Sequence, residues 1–135
     1  MKDTYYRIYL ALISVSLLLF AINAKAQWAK VGSAANGAGV GPSSSGNNWV
    51  LAMANYGSTY LYVGGEFTYA NYNGTNGTSV NNVARWDGTN WADVGGGVTG
   101  GSGVMALAVS GNYLYVGGEF TSAGGVSVNN IAAWD

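Results

Sequence analysis

Few side chains in this sequence can do acid–base chemistry. Glu66 and Glu119 each end an apolar run, and Asp87 and Asp135 each follow a tryptophan. Two carboxylates flanking one glycosidic bond would make an acid and a nucleophile or base. Yet Glu66 and Glu119 belong to one octapeptide, Leu-Tyr-Val-Gly-Gly-Glu-Phe-Thr, at 61–68 and again at 114–121. A single structural role accounts for both copies. Asp87 and Asp135 also share their surroundings and suit turn formation, because an Asp carboxylate can accept from backbone two residues on. Asp-x-Asp-x-Asp-Gly spacing is absent, so no calcium loop is expected. Gly64-Gly65 and Gly117-Gly118 lack the Lys-Ser/Thr and helix of a phosphate loop. They read instead as places where backbones approach closely at a strand end. The chain has no His and no Cys, which removes Ser-His-Asp triads, thiol nucleophiles and Cys or His metal ligands. No catalytic residue, metal or cofactor is expected.

Recognition chemistry is better represented. Tyr69, Asn71, Tyr72 and Asn73 lie in a polar stretch, Tyr69–Gly77. The second octapeptide is followed at the matching place only by Ser122-Ala123-Gly124-Gly125. Residues that break a repeat are not demanded by the scaffold. Tyrosine rings stack on the apolar faces of sugars while amides bond hydroxyls, so these four are the candidate binding residues.

Something must position that loop. Residues 1–26 read as a secretory signal peptide: Lys2 and Arg7 form a basic start, Ile8 to Ile22 is apolar, and Ala24-Lys25-Ala26 is a cleavage pattern. The apolar run is short of the ~20 residues that span a bilayer. Net charge is −1, so no basic patch exists for nucleic acid. Export without cysteine suits a bacterial envelope, Gram-negative in type, where disulfides are optional.

Beyond residue 26 the sequence repeats. Ser79-Val-Asn-Asn-Val-Ala-Arg-Trp-Asp87 recurs as Ser127-Val-Asn-Asn-Ile-Ala-Ala-Trp-Asp135, and Trp28-Ala-Lys-Val-Gly32 matches Trp91-Ala-Asp-Val-Gly95. Short runs rich in Val and aromatics, bounded by Gly, Asn and Ser, predict strands. They fall at Val50–Ala54, Tyr60–Gly65, Asn82–Trp86 and Trp91–Val94, then at Val104–Val109, Tyr113–Gly118 and Asn130–Trp134. Four strands per unit of about 48 residues is the arithmetic of a β-propeller blade. Tyr60 and Tyr62 alternate with Leu61 and Val63, so both faces of the sheet are apolar and both need cover. The fold expected is all-β: about two antiparallel four-stranded propeller blades in an incomplete ring, after a signal-peptide helix.

These residues resemble a kelch-type repeat. The closest variant carries Leu-Tyr-Val-Gly-Gly-x-Phe-Thr followed by Asn-Asn-Ile-Ala-x-Trp-Asp, and occurs in tandem in large secreted bacterial surface proteins. It is also similar to extracellular repeats of a fungal bud-site marker family. The resemblance covers nearly all of 28–135 and implies a propeller scaffold. It departs from kelch in the shorter spacing between Trp86 and Trp91. Galactose oxidase shares the kelch propeller, but its copper site needs His, so that activity is not implied here.

The domain reading is a signal peptide at 1–26, an orphan strand and Gly/Ser-rich linker at 27–48, a first repeat at 49–95, and a second at 96–135 lacking its last strand. Trp28, Trp86, Trp91, Trp134 and the glycine pairs are structural repeat positions. Two blades cannot close a ring of ~4–8. Either the sequence is a piece of a longer array, or Trp28–Val31 pairs with Asn130–Trp134 and the chain oligomerises. The function expected is a secreted or cell-surface module that binds a glycan or protein through the long loop, and not an enzyme. The alternative is part of a polysaccharide-acting propeller whose carboxylates lie in other blades.

Overall fold

The computed structural model describes residues 31, 39–41, 48–72 and 76–135. The signal peptide, Trp28 and Asn73 lie outside them. The described residues form an all-β structure of antiparallel sheets with three or four strands each.

The first large sheet is a meander. It runs β2 (Trp49–Tyr56), β3 (Tyr60–Glu66), β6 (Val83–Trp86) and β7 (Trp91–Asp93) in spatial order. The second has β9 (Gly103–Ser110), β10 (Tyr113–Glu119) and β13 (Ile131–Trp134), with β10 central. All seven lie where alternation and turn residues predict strands. Bounds differ slightly, for a backbone reason. Asn82 and Asn130 sit at φ 64° and 65°, which no strand accommodates, so β6 and β13 start one residue later than expected.

Turn chemistry closes the hairpins. Asp87 Oδ1 accepts from the N–H of Thr89 at 2.8 Å and of Asn90 at 2.6 Å. These bonds, Asn90 first, hold the Asp87 carboxyl below its usual pKa. A lowered folded-state value stabilises the fold above the unfolded value of about 4 and is lost as pH falls through the folded one. An NMR titration should therefore show the Asp87 carboxyl titrating below the ordinary aspartate value of about 4. Asp87→Asn should remove that part of the acid dependence of stability.

The two-residue strands were not legible in the sequence. β1 (Val40–Gly41), β4 (Tyr69–Ala70) and β5 (Thr78–Ser79) form one ribbon; β8 (Val98–Thr99), β11 (Ser122–Ala123) and β12 (Val126–Ser127) form another. Thus Val40–Gly41, within the stretch read as linker, pairs with the first repeat. The long loop rises from a β4–β5 stem.

Burial follows the alternation. Tyr62, Val83, Val104, Leu114, Val116 and Phe120 form a cluster between the two large sheets, where β9 packs on β2 and β3. Val63, Phe67, Ala84 and Trp91 form a second cluster on the other side of the first sheet. Each Val, Leu or Phe side chain so removed from water contributes roughly 1.5–3 kcal/mol.

Candidate functional site

The tyrosines of the long loop come together. Tyr69 is on β4 and Tyr72 two residues past it, with Asn71 between at φ 55°. That left-handed turn reverses the chain and brings the two rings to 5.6 Å, stacked at 29°. Tyr72 lies directly over Gly41, where a Cβ would overlap its ring. The glycine of β1 is thus the floor of the pair. Tyr69 is 37% exposed and Tyr72 half-buried. Asn73 lies outside the described residues, so three of the four candidates are placed, all on one hairpin.

The structural tryptophans divide. Trp134 meets Tyr62 of the other sheet edge-on, with centroids at 6.3 Å. Trp86 pairs with Trp91 of its own sheet at 5.4 Å. The Trp91 indole N–H donates to the Val31 carbonyl at 3.3 Å, placing the end of the Trp28–Val31 segment beside the first sheet. Tyr56, Tyr60 and Tyr62 continue from Trp134 as an aromatic ladder with steps of 6.4 and 6.3 Å. Arg85 lies 4.8 Å over the Tyr60 ring. Burial pushes the Tyr62 hydroxyl above its usual pKa, partly opposed by the Arg85 charge.

In both glycine pairs the second member lies against backbone, whereas of the first members Gly64 meets the Val104 side chain and Gly117 only ordinary contacts. A Cβ on Gly65 would overlap the Trp49 carbonyl oxygen, and one on Gly118 the Gly103 carbonyl oxygen. Both face a β-bulge in the preceding strand, at Val50–Ala52 and opposite Gly117–Gly118.

Glu66 lines a polar cleft with Thr68, Asn81, Asn82, Thr99 and Gly100. Glu119 ends the equivalent strand on the second sheet and is exposed. Among the described residues no group of His, Cys, Asp and Glu could hold a metal.

Asn82 is the residue whose role the sequence left unread. Its Oδ1 accepts from the Phe67 N–H at 3.2 Å, and its Nδ2 donates to the Val98 carbonyl at 2.9 Å. It ties the end of β3 to β8 of the next repeat. The repeated Asn-Asn was the available signal. Asn82→Ala should cost roughly 2–4 kcal/mol, from the lost bonds and the left-handed backbone. Asn82→Gly keeps the backbone and should cost clearly less in urea unfolding.

Compared with family models, curated proteins and solved structures, the chain matches none. No helix among the described residues is long and apolar enough to cross a membrane.

Proposed function

We propose that this chain is an exported, surface-exposed repeat module of the kelch-like propeller type. Its sheets act as blades that display a binding hairpin, and it does not catalyse a reaction. The observation that supports this reading most is the stacked Tyr69–Tyr72 pair. It stands on a stem, rests on Gly41, and belongs to an insertion that the second repeat lacks. A stacked, partly exposed aromatic surface beside the Asn71 amide suits the apolar face and hydroxyls of a sugar.

The test is a glycan array with the purified protein and with the double variant Tyr69→Ala, Tyr72→Ala. Binding to a defined glycan class should fall at least tenfold in the variant, with circular dichroism unchanged. Equal binding by both proteins, or none by either, sinks the glycan reading. Turnover of any glycan that is abolished by Glu66→Gln would replace it with the enzyme alternative.

A further inference from the structure

We infer that the polar cleft beside Glu66 is a subsite for the ammonium group of an amino sugar, so that the glycan this module binds is a cationic one. The inference rests on the glycan reading of the Tyr69–Tyr72 hairpin and names the sugar class. The cleft has a volume of about 210 Å³, and both repeats contribute to it. Glu66 ends β3 on one side, with Thr68 just beyond; Thr99, Gly100 and Gly101 form the other side, and Asn81 and Asn82 complete the lining.

The walls are tied in place by the protein itself. The Val98 N–H donates to the Asn81 carbonyl at 2.9 Å, and Asn81 Nδ2 donates to the Gly96 carbonyl at 2.8 Å. Asn82 bonds both Phe67 and Val98. Across the cleft the Thr121 N–H donates to the Thr99 carbonyl at 3.0 Å. A Cβ on Gly101 would overlap the Glu119 carbonyl oxygen, so that wall lies against the end of β10. A site with walls already fixed loses little freedom when a ligand enters.

The lining selects charge. Glu66 supplies a carboxylate, Thr68 and Thr99 supply hydroxyls, and no lining residue is cationic. Among the described residues the one cation is Arg85. It stacks on Tyr60 at the opposite end of β3, roughly 20 Å from Glu66 at the usual rise of a strand. A carboxylate surrounded by hydroxyl and amide oxygens suits a positively charged group with several N–H donors, as a primary ammonium has. An acetylated amine offers one N–H and no charge. A calcium ion is poorly served, because no second carboxylate lines the cleft.

Cleft and tyrosine pair share one stem. Thr68 lines the cleft, and Tyr69 begins β4 beside it. The Thr68 carbonyl accepts from the Val80 N–H at 2.8 Å, at the base of the β4–β5 hairpin. One oligosaccharide can therefore stack a ring on Tyr69 and Tyr72 and place a nearby amine beside Glu66.

Titration calorimetry of the purified protein tests this with equally long oligomers of glucosamine, N-acetylglucosamine and glucose. The glucosamine oligomer should bind about tenfold more tightly than the other two. Glu66→Gln should erase that preference. So should Thr99→Lys, which sets a competing ammonium at an exposed position of the lining and keeps the test open if Glu66→Gln does not fold. Glu119→Gln removes the same charge outside the cleft and should leave the preference intact. Equal affinity for all three oligomers overturns the inference. So does a preference that Glu119→Gln lowers as much as Glu66→Gln, which is general attraction of a polycation to an acidic protein. If Tyr69→Ala with Tyr72→Ala weakens all three oligomers while Glu66→Gln changes nothing, the display role stands and the ammonium subsite falls. A preference lost in Glu66→Gln but kept in the tyrosine variant supports the subsite and removes the hairpin from binding. No binding of any oligomer overturns both.

Discussion

Phe120→Ala is expected to lower the unfolding free energy by roughly 3–5 kcal/mol, which would leave much of the protein unfolded at 37 °C. Phe120 is 1% exposed and belongs to the cluster between the two large sheets. It follows the end of β10, where its carbonyl accepts from the Asn130 N–H at 3.1 Å. Truncation would empty the place where the second sheet, the β8–β11–β12 ribbon and the first sheet converge. Backbone bonds on both sides limit collapse into the void, so the cavity cost adds to the lost transfer energy. Urea unfolding followed by tryptophan fluorescence reads the loss. Tyr115→Ala is the control, because that ring is on the uncovered face, and it should change stability by less than about 1 kcal/mol in the monomer. If Phe120→Ala costs no more than Tyr115→Ala, the sheets do not share a core.

The second large effect separates two adjacent glycines. Gly118→Ala should cost about 3 kcal/mol, because its Cβ would overlap the Gly103 carbonyl oxygen and lie 3.0 Å from the Val104 Cα. Those are backbone atoms, so relief requires shifting β9 against β10 at the bulge. Gly103 itself is at φ 105°, and a Cβ there would overlap the Gly65 carbonyl oxygen, which leaves little slack in either direction. Gly117→Ala should lie within about 0.5 kcal/mol of wild type. Thermal unfolding of the two variants side by side decides the matter. Equal losses would show that the pair is conserved in the repeat for flexibility rather than for backbone contact.

The large strands were readable because each combines two independent signals, period-two alternation and flanking turn residues, and because the repeat shows most of them twice. Tyr60–Gly65 and Tyr113–Gly118 were located to within a residue. The ribbons were not, since two residues have no period. β1 and β8 are held by partners distant in sequence, such as Val40 by Ala70 and Val98 by Ala123. The binding candidates were legible as an irregularity between copies, although the stacking of Tyr69 on Tyr72 depends on Asn71 turning the chain over Gly41.

By itself the sequence determined the strand order, the turn chemistry at Asp87, and the existence of two apolar faces on each large sheet, because these follow from local alternation and short-range hydrogen bonding. Only the tertiary structure decided which face is covered. Tyr62 and Tyr115 occupy identical octapeptides, yet one is 3% and the other 41% exposed. No local property distinguishes them. What differs is whether another sheet lies against them, and that is settled by the packing of β9 on β2 and β3.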